Sequence, residues 1–236
     1  VNKEPIKPTR WFESANCAIE GILWAAKTQK NLRWHCLGAI AVLLMALFFK
    51  VSTLELILLT FAITLVLFAE LINTAVEVVV DLVSPDYHPL AKQAKDVAAG
   101  AVLVASIGAA VMGYFALYRY VFPSLQQGLD PLQQSPGETS VVAVLAVTFI
   151  VVLLKARFGT GTPLHGGMPS GHAAVAFSIA TSIALADVNM VIVLLALLLA
   201  TMVSHSRLLM KIHSMQEVII GAGLGVLVTL LLHFLI

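Results

Sequence analysis

From Leu54 to Val83 the chain stays apolar for longer than the about 20 residues that cross a bilayer, yet the second half of that run reads Phe68-Ala69-Glu70-Leu71-Ile72-Asn73-Thr74-Ala75-Val76-Glu77-Val78-Val79-Val80-Asp81. An apolar run of this length points to a membrane-spanning helix, because lipid offers no hydrogen-bond partner to a free backbone amide. On a helix, Glu70, Asn73 and Glu77 fall at i, i+3 and i+7 and share one face over roughly 10 Å. A carboxylate facing lipid at mid-bilayer costs roughly 2.5 to 3.5 kcal/mol on insertion scales, so this face must look onto protein or a wet cavity. Two uses fit: a polar seam that joins helices, or a site that does chemistry.

The rest of the chain agrees with a membrane setting. Hydrophobic residues make up 59% of it and charged residues 11%, and the formal net charge is +1. The cations stand near the ends of apolar runs and form no basic patch, so no nucleic-acid partner is expected. Cys17 and Cys36 lie in or beside apolar segments, with neither metal-ligand spacing nor a second pair, and are expected to be free thiols. Val1 to Arg10 is polar and proline-bearing, unlike a cleavable secretory signal. Thr9 to Lys30 alternates apolar Trp11, Phe12, Ala15, Ile19, Ile22, Leu23 and Ala26 with polar residues at helical spacing, which predicts a helix lying on the membrane surface.

Spanning helices are then expected at Asn31 to Phe49, Leu54 to Val83 and Val97 to Val121. A break at Ser84 to Pro89 and a polar turn with Lys92, Lys95 and Asp96 separate the last two. A Gln-, Pro- and Gly-bearing linker at 123–139 divides a first domain, 1–122, from a second, 140–236. The second contains apolar runs at Val141 to Leu154, Ala173 to Ala186, Met190 to Val203 and Val218 to Ile236, several of them short for a full span. Each must draw flanking polar residues into its helix, which puts Lys155, Ser170, His172, Ser206, Arg207 and His213 at helix ends near one membrane surface. The expected fold is an all-α integral membrane protein with a surface amphipathic helix and about seven transmembrane helices.

The first half, from Thr9 to about Ala105, resembles the prokaryotic diacylglycerol kinase and undecaprenol kinase family. The residues that carry this are Glu70-x-x-Asn73-Thr74-Ala75-x-Glu77-x-x-x-Asp81, then Tyr87-His88, then Ala94-Lys95-Asp96 before an apolar span. The resemblance implies three kinase-like spans with a surface helix, assembled as a homotrimer, and an enzyme that uses ATP and Mg²⁺ on a lipid alcohol. By position, Glu70 would be the general base, Asn73 a positioning group, Glu77 a metal and nucleotide ligand, and Arg10, Lys95 and Asp96 nucleotide-binding residues. Gln29 stands where the family has a second metal-binding carboxylate. An amide oxygen can coordinate Mg²⁺ but brings no charge to a hard cation.

The second half resembles the type 2 phosphatidic acid phosphatase superfamily. Three motifs carry that resemblance: Lys155-x6-Thr162-Pro163, Pro169-Ser170-Gly171-His172, and Ser206-Arg207-x5-His213-x3-Glu217. Thr162 replaces a family arginine and Glu217 a family aspartate. The resemblance implies four phosphatase-like spans and a phosphatase without a metal or other cofactor. His213 would be the nucleophile, Glu217 its orienting carboxylate and His172 the acid and base, while Lys155, Arg207, Ser170, Gly171 and Thr162 would bind phosphate. Arg157 is a candidate to restore the missing charge.

Together the two resemblances imply membrane lipid phosphate metabolism. A phosphatase acting on a lipid phosphate or pyrophosphate, best matched by undecaprenyl pyrophosphate, is fused to an ATP-dependent kinase for undecaprenol or diacylglycerol. The alternative is that the kinase-like half is an inactive trimerisation scaffold. Cations gather in the N-terminal segment, at Lys92 and Lys95, at Lys155 and Arg157, and at Arg207 and Lys211. By the positive-inside rule these segments are cytoplasmic, which predicts a prokaryotic inner-membrane protein with both sites facing the cytoplasm.

Overall fold

The computed structural model describes residues 11–121, 136–158, 167–186 and 188–235. Among the described residues the chain forms eight helices and no strand: α1 (Trp11–Thr28), α2 (Lys30–Phe49), α3 (Thr53–Val83), α4 (Pro89–Val121), α5 (Pro136–Phe158), α6 (Gly171–Leu185), α7 (Met190–Leu209) and α8 (Met215–Leu235). Six of them, α2 to α5 with α7 and α8, are long and apolar enough to cross a membrane. The fold is an all-α integral membrane protein. The expected seventh span, α6, is apolar but has only 15 residues; at about 1.5 Å per residue it crosses the roughly 30 Å hydrocarbon core only together with its flanking residues and local thinning of the bilayer.

Two helices begin earlier than predicted. The polar turn at Lys92, Lys95 and Asp96 is already helical in α4, because Pro89 suits a first helical position and Lys92 pairs with Asp96 one turn on. Likewise α5 starts at Pro136, inside the expected linker, with Pro136 as first residue and Glu138 in the first turn. The chain divides into two compact units, Val1–Gly128 and Leu129–Ile236.

In the first unit α1 buries only Ala25 and leaves Trp11, Phe12, Ile19, Ile22 and Leu23 exposed, a face that the membrane surface can cover. Only Gln29 separates α1 from α2, and Arg33 closes the corner by donating from Nη1 to the carbonyls of Ala26 and Lys27 in the last turn of α1. At the other end of α2, Lys50 adopts left-handed backbone and Ser52 forms a capping box with Glu55 to start α3. The Glu55 carboxylate also accepts from Tyr120 Oη at 2.6 Å, which ties the end of α4 to this turn. Ala46, Leu59, Ala116 and Leu117 form the core beneath it.

In the second unit α6 packs against α8 at unusually short range. A Cβ on Gly221 would lie 2.3 Å from the Ser170 carbonyl oxygen, and one on Gly225 2.1 Å from that of Ala174. One turn further on, Ser178 Oγ and Thr229 Oγ1 are hydrogen-bonded at 2.8 Å, and one turn back Ser170 N donates to Glu217 O at 2.9 Å. Small residues every fourth position on both helices thus bring the backbones together, the pattern by which membrane helices pack without a hydrophobic driving force. Val147, Val151 and Ala174 form the core on the α5 side.

Candidate active sites in the two units

In the first unit the polar face of α3 is divided between two neighbours. Glu70 is 3% exposed, and its Oε1 lies 3.1 Å from Nε2 of His35 on α2. Asn73 turns the other way: its Nδ2 donates to Glu77 Oε1 at 2.9 Å, while its Oδ1 is buried without a hydrogen-bond partner. Gln29, at the α1–α2 corner, donates from Nε2 toward the second Glu77 oxygen at 3.4 Å. The corner therefore brings the predicted pair Gln29 and Glu77 together, with Gln29 meeting the carboxylate as a donor.

This set can accept a magnesium ion. Such ions take one or two carboxylates and fill the remaining positions with water and substrate phosphate. Glu77 supplies the charge and Asn73 Oδ1 an unpartnered carbonyl oxygen beside it. Among the described residues no group of three or more His, Cys, Asp and Glu is placed to hold a metal ion.

The predicted nucleotide residues pair with neighbours. Lys95 bonds Asp81 across α3 and α4, and Asp96 bonds Lys92, both at exposed positions where such pairs are readily exchanged for another anion or cation. Arg10 lies outside the described residues.

The second unit collects its motif residues around the junction of α6, α7 and α8. His213 sits in the turn after α7, its side chain 1% exposed, with Nδ1 2.7 Å from Glu217 Oε2. Lys211 takes left-handed backbone there, and the amides of Ile212 and His213 return to the Arg207 carbonyl at 3.1 and 3.3 Å. The turn thus fixes His213 against the end of α7.

Glu217 is held at the same time by a capping box. Ser214 N donates to Glu217 Oε2 at 3.2 Å, and Glu217 N donates to Ser214 Oγ at 3.4 Å. Glutamate is the residue that reaches back from the third helical position, which gives a local reason for Glu217 where the resemblance has aspartate. One carboxylate oxygen both caps α8 and engages the imidazole.

Around this pair stand the phosphate candidates. Ser170 is the N-cap of α6, yet its Oγ makes no capping bond and is buried without a partner. Arg207 Nε, in the last turn of α7, is also buried and unpartnered. His172, in the first turn of α6, lies within electrostatic reach of Arg207, His213 and Lys155, and Lys155 within reach of Glu217. Gly171 opens α6, whose first free amides make a positive helix end suited to an anion. Thr162 lies outside the described residues. Arg157 stands with Lys155 in the last turn of α5, two residues on, so the two side chains leave the helix on different faces.

Sequence reasoning missed His35. The available signal was a lone imidazole in an apolar span, which, like Glu70, needs a polar partner. It also missed Asp81 as the partner of Lys95, although Asp81 stood in the motif.

Comparison with known proteins bears on the first unit. The model of the family described as prokaryotic diacylglycerol kinase matches residues 16–117. A diacylglycerol kinase of Synechocystis sp. is 39% identical over 118 residues, 47% of this chain and 67% of the relative. The undecaprenol kinase of Bacillus subtilis is 39% identical over 104 residues, 44% of this chain and 85% of the relative. The diacylglycerol kinase of Escherichia coli K12 is 29% identical over 112 residues, 48% of this chain and 92% of the relative. No solved structure matches the chain. With the buried Glu70, the Asn73–Glu77 pair and the Gln29 corner held in that matched segment, the chain belongs through its first unit to the prokaryotic diacylglycerol kinase family.

Proposed function

We propose that the chain is a bifunctional enzyme of membrane lipid phosphate metabolism: an ATP-dependent lipid kinase in the first unit and a phosphohistidine lipid phosphatase in the second. The phosphatase reading is carried by one arrangement: His213 bonded through Nδ1 to Glu217, beside Arg207 Nε and Ser170 Oγ that are buried with no partner of their own. Buried polar groups are normally satisfied, so two orphans next to a carboxylate-paired histidine fit a waiting phosphate.

With Nδ1 engaged, the free Nε2 of His213 attacks phosphorus. The bond from phosphorus to the leaving oxygen breaks, and His172 gives that oxygen a proton. His172 then takes a proton from water, whose oxygen displaces His213 Nε2 and releases phosphate. Lys155, Arg207, Ser170 and the amides at Gly171 hold the phosphate oxygens as charge builds on them. These steps draw on side chains and backbone alone.

In the kinase unit, Glu70 takes the proton of the lipid hydroxyl, and Glu77 with Asn73 and Gln29 would hold Mg²⁺. When bound with ATP, the ion neutralises phosphate charge and orients the transferring group. Arg10, Lys95 and Asp96 bind the nucleotide, and the active assembly is a homotrimer. Undecaprenol is the favoured lipid alcohol and undecaprenyl pyrophosphate the favoured phosphatase substrate, since both reactions then converge on undecaprenyl phosphate. The fusion has a chemical logic on that reading. The deciding experiment is the purified full chain in detergent, tested for phosphate release from undecaprenyl pyrophosphate and phosphatidic acid, and for phosphate transfer from ATP to undecaprenol and diacylglycerol. Activity in neither assay overturns the proposal.

Gln29 favours a second reading, an inactive kinase-like scaffold, because it reaches Glu77 as a donor where a second carboxylate would need a cation between them. Gln29→Glu sets the two readings apart. It puts two carboxylates in the place of a 3.4 Å amide contact, so a live site should bind Mg²⁺ several-fold more tightly and turn over faster. A parent and a Gln29→Glu variant that both fail to phosphorylate either lipid alcohol leave the scaffold.

Both sites are proposed to face the cytoplasm of a prokaryotic inner membrane, on the distribution of Lys and Arg. In a background with Cys17 and Cys36 replaced by serine, single cysteines at Asp86 and Lys211 should resist an impermeant thiol reagent in intact cells, and one at Val188 should react. The opposite pattern overturns the orientation.

A further inference from the structure

Glu70 is nearly sealed inside an apolar unit, and other polar side chains on α2, α3 and α4 are committed elsewhere. Asn73 turns to Glu77, Thr74 Oγ1 donates to the Glu70 backbone carbonyl and leaves the carboxylate alone, Arg33 closes the α1–α2 corner, and Lys92 and Lys95 pair with Asp96 and Asp81. The contact to the carboxylate comes from α2, where His35 Nε2 stands 3.1 Å from Oε1. His35 itself is one-third exposed, so it bridges the buried carboxylate and the surroundings of the unit.

We infer that His35 is a positioning residue for lipid phosphorylation, holding Oε1 of Glu70 so that Oε2 faces the lipid hydroxyl. The inference rests on the kinase reading of the first unit. A base must sit about 2.6 to 3.2 Å from the proton it removes, and a carboxylate free to turn about its terminal torsion spends little time in such a pose. A proton held on Nε2 and donated to Oε1 fixes the carboxylate plane. As the lipid O–H bond breaks and its oxygen bonds to the γ-phosphorus of ATP, the proton passes to Glu70 Oε2, and the bond from that phosphorus to the bridging oxygen breaks with its electron pair leaving on ADP. The Nε2 proton of His35 stays in place throughout. An error of about 1 Å in such positioning is enough to cost about a hundredfold in rate.

The test compares His35→Leu and His35→Gln in the full chain, reconstituted in lipid nanodiscs, with undecaprenol and diacylglycerol as acceptors. His35→Leu should lower kcat tenfold or more while KM for ATP stays within twofold, since the kinase reading gives His35 no part in holding the nucleotide. His35→Gln, whose amide nitrogen can donate to the same oxygen, should regain most of the rate and also covers the case in which the leucine variant fails to fold. Independently of turnover, the imidazole ¹⁵N resonances of His35 should shift in Glu70→Gln. Equal kcat in wild type and His35→Leu, a glutamine variant no better than the leucine one, or unchanged ¹⁵N resonances each overturns the assignment. A wild type without any lipid kinase activity overturns the kinase reading itself, and the assignment with it.

Discussion

His213→Ala should abolish phosphate release from every lipid substrate the second unit accepts, a loss on the order of 10³-fold or more, as for removal of a covalent nucleophile elsewhere. The expectation follows from geometry. Glu217 engages Nδ1 at 2.7 Å, so the attacking lone pair belongs to Nε2, and alanine leaves no atom to bond phosphorus. Lys155, Arg207 and the α6 N-terminus would remain, so phosphate or a phosphate analogue should still bind. The measurement is single-turnover hydrolysis of ³²P-labelled undecaprenyl pyrophosphate with acid-labile, base-stable label trapped on the protein. His172→Ala should slow release of that label more than its formation once the substrate carries a good leaving group, because His172 activates the water. Near-wild-type phosphate release by His213→Ala sinks the phosphohistidine mechanism. Any lipid phosphorylation by the first unit should be untouched, since His213 belongs to the other unit.

The membrane fold was legible because bilayer thickness and backbone hydrogen bonding leave little freedom to a run such as Leu54 to Val83. Helix ends were less legible where local chemistry outweighed hydropathy. Pro89 and Pro136 read as breakers, yet each stands at a first helical position, where proline is favoured. Of the candidate sites, Asn73 and Glu77 were readable from spacing on one helix, and His213 with Glu217 from the motif that carries the second resemblance; the structure bonds the members of each pair. The pairs that cross between helices, His35 with Glu70 and Lys95 with Asp81, depend on how helices pack, which spacing within one helix does not encode. Gln29 and Glu77 lie between these cases, foreseen through a motif and met across the α1–α2 corner. Glu217 shows a departure from a motif acquiring a local cause. The Ser214-x-x-Glu217 capping box favours glutamate at the position that also serves the histidine.

Gly225→Val should unfold or loosen the second unit, because the α6–α8 approach that sets the site has no room for a side chain. A Cβ at Gly225 would stand 2.1 Å from the Ala174 carbonyl oxygen and 3.0 Å from the Ser178 amide nitrogen. Both are backbone atoms, so no rotamer change relieves the clash and α8 must move off α6. Overpacking a core commonly costs about 1 to 3 kcal/mol when side chains can adjust; a backbone contact should reach the top of that range or beyond. Moving α8 breaks two further contacts in the same row, the Ser178–Thr229 hydrogen bond and the Ser170 amide bond to the Glu217 carbonyl. Ser170 is the α6 N-cap and Glu217 the partner of His213, so the same motion separates the phosphate cradle from the nucleophile. Gly223→Val is the matched control, with an identical propensity change two residues away and nothing within 4 Å of the added Cβ. Resistance to unfolding in mixed detergent, read by tryptophan-independent far-UV circular dichroism, should fall markedly for Gly225→Val against Gly223→Val, and phosphate release should vanish only in the former. Equal stability and equal turnover in the two variants would show that α6 and α8 do not meet at this range, and the convergence of Ser170, His172 and His213 would lose its structural basis.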